Sequence, residues 1–390
     1  MKKVYMDHAS ATPVRKEVID AMMPYFGEKF GNPSTIYDIG SEIKKDIDEQ
    51  REKVATLIGA EGKEIIFTSS GAEANNLAIK GVAVAKQKKG DHIIISAIEH
   101  HSVLNSARYL ERTGFEVTFL PVDEYGLVSP ARLAKAIRPE TILVSIMHAN
   151  NEIGTIQPIS DLSAICREKE IVFHTDAVAT VGNIPVDVND LGVDLLTISG
   201  VSLGAPKGIG ALYFRKNTRL MPLIHGGIQE RGRRGGTENV PGIIGFGKAS
   251  ELAMEELPEN MNHVRKLRDR LISGVSERIE QVKLTGHPEK RLPGHASFCV
   301  QAIEGEAMLI MLNVKGIYAN TGSACASKAL KTSPVLVAIG LSADLAQGSA
   351  VFTMNRTNSI EDIDYILTEL ELSVKKLRSL SPIWREKAAA

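Results

Sequence analysis

Between residues 64 and 199 the chain repeats one pattern: a short, almost wholly apolar run, a break, then in most intervals a stretch with helical periodicity. The runs at 64–68, 92–96, 116–122, 141–147, 171–175 and 193–199 predict strands. Strands that are apolar on both faces, rather than alternating, belong in a parallel sheet covered on both sides. Repeated strand-then-helix segments therefore predict a doubly wound α/β domain. Its right-handed crossovers gather the loops after the strands on one rim, where ligands bind. Residues 41–59 add an amphipathic helix, with Ile43, Ile47, Val54 and Ile58 on one stripe and Gly59 as its stop.

The pattern changes after about residue 257. A long helix carrying Val264, Leu267, Leu271 and Val275 is followed by one clear short strand, Ala296 to Val300, and a Gly/Ser/Ala loop at 319–327. The last helix opens with Ser359 and Asp362 in capping-box spacing and carries Ile363, Ile366, Leu370, Val374 and Leu377. This predicts a smaller α+β domain. The expected division is a large domain over 15–257 and a small one built from 1–14 and 258–387, with Ala388–Ala390 reading as a cloning scar. The 46 Lys and Arg residues are scattered among 47 Asp and Glu, which argues against the basic face of a nucleic-acid or anionic-membrane binder. No apolar run approaches the ~18 residues of a membrane span, and the start of the chain lacks a secretory pattern, so a cytoplasmic protein is expected. Three distant cysteines, Cys166, Cys299 and Cys325, form neither a disulfide framework nor a CxxC metal pattern.

Several clusters fall at predicted strand ends. Ser70-Gly71-Ala72 between strand and helix is an anion cradle in principle, since the first helical amides are unpaired. Gly204-Ala-Pro-Lys-Gly-Ile-Gly210 is glycine-rich but is not a Walker loop, because no Ser or Thr follows Lys207. Asp176, ending His174-Thr-Asp176, is able to hold a heterocyclic nitrogen protonated; a helix N-cap is the plainer reading. Glu99-His100-His101 reads most simply as a solvated loop, and its adjacent histidines share no face for a metal. Met147-His-Ala-Asn-Asn-Glu-Ile-Gly154 adds amide donors to the same rim. Cys325, in Asn320-Thr-Gly-Ser-Ala-Cys-Ala-Ser327, is a candidate nucleophile on a small-residue loop, with structural packing as the competing reading. Cys166 and Cys299 read as core.

Taken together the motifs resemble a known family. They are Tyr5-Met-Asp-His-Ala, Phe30-Gly31-Asn32-Pro33-Ser34, Glu99-His100, His148-Ala-Asn-Asn-Glu-Ile-Gly154, His174-Thr-Asp176-Ala, Gly226-Gly to Glu230-Arg-Gly232, Arg234-Gly-Gly-Thr237-Glu-Asn-Val-Pro241 and Gly322-Ser-Ala-Cys325. Over nearly its whole length the chain resembles the cysteine desulfurases of iron–sulfur cluster assembly, which have the class V aminotransferase fold of pyridoxal-phosphate-dependent transferases. The resemblance implies pyridoxal 5'-phosphate on the rim, with His100 stacked on its ring, Asp176 at its nitrogen and Asn151 facing its 3-oxygen. It implies that Gly71, Ala72 and Ser199 bind phosphate, and that Thr237 reaches in from the second subunit of a homodimer. Cys325 would take sulfur from L-cysteine as a persulfide and deliver it to a scaffold protein.

The chain departs from the family at the chemistry. Where the family carries Ser-x-His-Lys, this chain reads Ser199-Gly-Val201-Ser202, so Ser202 occupies the position of the Schiff-base lysine and Val201 that of the histidine. A hydroxyl forms no imine, and a positioned base of the lost kind is worth roughly 10²–10⁴ in rate. The family's phosphate-binding Thr is Ala72, its Gln after the aspartate is Ala179, and its carboxylate-clamping Arg aligns with Val351, while Arg356 matches a different family position. Losing a charge-assisted hydrogen bond of about 1.5–3 kcal/mol weakens capture by one to two orders of magnitude. Three readings follow. The first is a degenerate desulfurase in which Cys325 accepts sulfur or ligates an iron–sulfur cluster shared with a scaffold, cofactor being weakly held or absent and not covalently attached. The second is an active pyridoxal-phosphate-dependent cysteine desulfurase using another base. The third is a thiol enzyme pairing Cys325 with His100.

Overall fold

The structure is a computed structural model that describes residues 2–322, 332–382 and 384. Cys325 and the Ala388–Ala390 tail lie outside the described residues. In chain order the strands are β1 (Val4–Tyr5), β2 (Ile65–Thr68), β3 (His92–Ser96), β4 (Glu116–Leu120), β5 (Thr141–Ser145), β6 (Val172–Asp176), β7 (Leu195–Ser199), β8 (Gly210–Phe214), β9 (Val282–Leu284), β10 (His295–Val300), β11 (Ile317–Tyr318) and β12 (Ser349–Thr353).

β2 to β8 form a seven-stranded sheet of order β2-β8-β7-β6-β5-β3-β4, in which only the pairings made by β8 are antiparallel. Successive side chains of a strand point to opposite faces. Ile65, Phe67, Ile94, Val144, Phe173, Leu196 and Ile198 accordingly enter one core, and Ile66, Ile93, Ile95, Leu143, Val172 and Leu195 the core on the other face. Burial on both sides is why the central strands are largely apolar, and the sheet is the doubly wound, mostly parallel α/β architecture expected from the sequence. The chain reverses direction across the sheet between β3 and β5, which opens a crevice beyond the carboxyl ends of the strands.

A third core lies around the antiparallel sheet β12-β10-β9 and the parallel pair β1-β11. It joins Val4 and Met6 from the start of the chain to Val264, Leu271, Phe298, Phe352 and Ile366. The long helix begins at Val240, well before the expected start, because Asn239 caps it and Pro241 sits in its first turn. It runs to Arg278, with Leu252 in the large core and Val264 in the small one, on either side of Pro258. β8 was not expected: its glycine-rich approach, Gly204 to Gly210, reads as a turn, but Gly204 and Gly208 supply the positive φ that folds the chain back antiparallel. The final helix, Ile360–Leu380, opens on the expected capping box of Ser359 and Asp362. Among the described residues no helix is long and apolar enough to cross a membrane.

Candidate active site at the carboxyl edge of the large sheet

A cavity of about 520 Å³ opens at the crevice, walled by strand ends of the large sheet on one side and by residues 294–295 and 353–357 on the other. Its floor is Asp176, the last residue of β6 and 5% exposed. Asp176 Oδ1 accepts from the Val178 amide at 3.0 Å, and Oδ2 accepts from Asn75 Nδ2 at 2.7 Å. No helix starts after it, so the plain N-cap reading gives way to a carboxylate that closes a turn and faces the cavity. Burial raises its pKa, with the Val178 and Asn75 hydrogen bonds and the nearby His100 pulling the other way. Asn75 was not singled out from the sequence; an asparagine among Ala74, Leu77 and Ala78 on the buried face of a helix was the available signal. Its amide nitrogen also reaches Ser102 Oγ at 2.8 Å, while its Oδ1 is buried without a partner.

Above the floor, His100 caps the helix His101–Glu111, its Nδ1 accepting from the Ser102 amide at 3.2 Å, and its exposed ring lines the cavity. Glu99 is not the solvated residue expected. It is buried, Oε1 accepting from Ser96 Oγ at 2.6 Å and from the Met147 amide at 2.8 Å, and burial pushes its pKa up to about 8. It thereby ties the loop after β3 to the loop after β5.

Gly71 and Ala72 line the cavity in the first turn of the sixteen-residue helix Gly71–Lys86, whose N-cap Ser70 accepts from the Glu73 amide. A Cβ on Gly71 would come within 2.9 Å of Val178, so only glycine lets this helix end approach the wall. Ser199, Val201, Ser202, Ala179 and Asn151 line the same cavity. Ser202 sits in the short 3-10 turn Gly200–Leu203 and donates its hydroxyl to the Ser199 carbonyl at 2.9 Å. No lysine lines the cavity among the described residues.

Two positions lie outside this chain's own cavity, Thr237 being the one expected to serve a second subunit. Thr237 is exposed and absent from this chain's own cavity wall. Val351 is buried in β12 beside a small separate hollow with Glu152, Ser297 and Gly322. Arg356 does line the cavity, but it shares Glu256 with Arg15, which takes both carboxylate oxygens at 2.8 Å. Cys166 and Cys299 are buried, and burial pushes both thiols up to about 12, so neither offers a thiolate near neutral pH. Among the described residues no group of three or more His, Cys, Asp or Glu is placed to hold a metal ion.

The residues fit part of a pyridoxal phosphate. A buried carboxylate stands ready for a pyridinium, an exposed imidazole flanks the space above it, and a glycine-opened helix end with Ser199 forms a phosphate cradle. Among the described residues the wall offers no lysine for covalent attachment.

The sequence profile of the family described as Aminotransferase class-V matches residues 4–366. The cysteine desulfurase IscS of Methanosarcina thermophila is 54% identical over 382 residues, covering 98% of this chain and 94% of that protein. A solved structure described as a NIFS-like protein superposes with a TM-score of 0.91 at 39% identity, covering 96% of this chain and 100% of the other. Another, described as SspA in complex with cysteine, gives a TM-score of 0.81 at 37% identity, covering 90% and 99%.

Proposed function

The chain belongs to the aminotransferase class-V family and to its cysteine desulfurases, and from that premise we propose that it serves iron–sulfur cluster biogenesis without working pyridoxal phosphate chemistry. The observation that carries this reading is the cavity wall: it has a serine where the family has its lysine, and among the described residues no other lysine lines it. When bound, pyridoxal phosphate supplies an electron sink for bonds at a substrate's α-carbon. Here Asp176, fixed by Asn75, would pair with the ring nitrogen, His100 would cover the ring, and Gly71, Ala72 and Ser199 would hold the phosphate. Ser202 cannot take up the substrate's α-proton as an amine does, Ala179 and Val201 offer no polar group, and Val351 cannot clamp a carboxylate.

Cys325 is the residue left to act. It works as a persulfide acceptor, exchanging its thiol for the sulfane sulfur of a donor persulfide and leaving the donor as a thiol, or as one ligand of a cluster shared with a scaffold protein. The protein pairs as a homodimer in the cytoplasm, with Thr237 of each copy directed to its partner's cavity. One observation favours a second reading, an active desulfurase holding its cofactor noncovalently: the Asp176–Asn75 lock under the ring position is intact.

Purified protein incubated with pyridoxal phosphate and L-cysteine separates the two. Negligible sulfide release, and no borohydride-trapped adduct on any peptide of the cavity wall, is expected. Sustained turnover overturns the proposal. Ser202→Lys should restore the trapped adduct more readily than turnover, since Val201, Ala179 and Val351 remain. With a scaffold under anaerobic conditions, Cys325→Ser should lose or loosen the cluster, whereas Cys166→Ser and Cys299→Ser should not.

A further inference from the structure

The hydrogen-bonding character of the wall at Ser202 differs from that of a lysine in more than reactivity. The hydroxyl has one proton, and that proton points at the Ser199 carbonyl at 2.9 Å. While that bond is made, Ser202 presents its lone pairs toward the cavity. Deeper in, Asn75 commits both of its amide hydrogens, to Asp176 and to Ser102, and leaves a buried Oδ1 that accepts nothing. Of the guanidinium groups on the wall, Arg15 gives both terminal nitrogens to Glu256, with its Nε left without a partner, and Arg356 reaches the same carboxylate through Nη1 at 3.3 Å. The position that an amine fills in the family is thus occupied here by an acceptor.

An aldehyde oxygen is also only an acceptor, so it meets Ser202 lone pair to lone pair. A protonated aminomethyl group brings donors and fits. We infer that the cavity binds pyridoxamine 5'-phosphate in preference to pyridoxal 5'-phosphate, because Ser202 offers an acceptor where a covalent lysine would have selected the aldehyde. This rests on the proposed reading that no lysine bonds the cofactor in this chain. Everything else that holds the two vitamers is shared: the Asp176 carboxylate for the ring nitrogen and the Gly71–Ala72 helix end with Ser199 for the phosphate. The preference is therefore carried by one contact. A hydrogen bond to a charged group makes it worth roughly tenfold or more in affinity.

The test uses the full chain, stripped of bound small molecules, with dissociation constants for both vitamers read by ligand fluorescence at equilibrium. Pyridoxamine 5'-phosphate should bind at least about tenfold more tightly. Ser202→Ala should abolish the difference by weakening the amine form alone, and Ser202→Lys should reverse it. Asp176→Asn should weaken both vitamers together, which places the binding in this cavity rather than on surface lysines. Equal affinities, tighter binding of the aldehyde, or no binding of either vitamer overturns the inference while leaving the role of Cys325 in cluster assembly standing. A borohydride-trapped lysine adduct on the cavity wall overturns the proposed function itself, and the two failures are told apart by that trapping.

Discussion

Asn75 and Asp176, on a helix and a strand 101 residues apart in sequence, are joined by a hydrogen bond of 2.7 Å from Asn75 Nδ2 to Asp176 Oδ2. The bond fixes the carboxylate against the floor of the cavity with its remaining surface turned to the ligand space. Asn75→Ala should leave that buried carboxylate short of a donor, at a cost of about 1.5–3 kcal/mol in stability. It should also weaken binding of the pyridine ring, because Asp176 would hold its proton to still higher pH. Denaturant unfolding reads the first effect and equilibrium vitamer binding the second.

Glu99 gives a pH signature. Its folded pKa is raised to about 8 by burial, against an ordinary value of 4.5. A carboxyl raised in this way stabilises the fold fully below the unfolded pKa. That contribution is lost as pH rises toward the folded pKa, because the native state then binds more protons than the unfolded one. Glu99→Gln keeps an oxygen for Ser96 and the Met147 amide. It should remove a fall of about 1.4 kcal/mol per pH unit across the interval from 4.5 to 8. Urea unfolding of both proteins at several pH values in that window should diverge, with the variant the more stable at the alkaline end.

The segment leading to Thr237 is anchored by Glu230, which is buried and takes both terminal nitrogens of Arg51 at 2.6 and 2.8 Å and the Phe67 amide at 2.9 Å. Glu230 holds a φ of 45°, a conformation that these contacts maintain. Glu230→Gln removes the main counterion of the largely buried Arg51, leaving only Asp48 at 3.7 Å, and should cost about 3 kcal/mol. The double variant with Arg51→Met should recover part of that loss. Thermal unfolding of the two variants measures the coupling.

Exposed apolar side chains concentrate in two stretches, with Phe30, Ile36 and Tyr37 in one and Met221, Ile224 and Ile228 in the other. Patches of this kind mark association surfaces. Ile36 and Ile228, which are 101% and 87% exposed, make no packing contribution within one chain. For the homodimer proposed above, Ile36→Asp with Ile228→Asp should shift sedimentation from dimer to monomer at micromolar concentration, with little change in the helix and strand content measured by circular dichroism.

Legibility followed burial. The central strands β3, β5, β6 and β7 were readable because both faces of each enter a core, and the last helix because Ser359 and Asp362 declare its start. β8 was missed because its run from Gly210 to Phe214 follows a glycine-rich approach whose turn is visible only in backbone angles. The start of the long helix was missed because Gly242, Gly245 and Gly247 dilute its apolar stripe; Gly242 lies close against the Asn239 cap, Gly245 against Met22 and Pro206, and Gly247 against Gln50. At the site, motif positions gave Asp176, His100 and Gly71, but not the partners that position them. Asn75 and Glu99 act through buried hydrogen bonds across distant segments, and no local spacing encodes those pairs.

The helix from Val240 to Arg278 is about 58 Å long at 1.5 Å per residue, and it passes from the large core into the small one through Pro258 without ending. The two cores therefore share one spine. Unravelling either end of it strips backbone hydrogen bonds and apolar partners from both, so local opening in one core is not insulated from the other. A cut near Pro258 would leave two raw helix ends, each with unsatisfied backbone groups. The smaller core also needs Val4 and Met6 from the opposite end of the chain, so neither half is a free-standing module that a rearrangement could transplant.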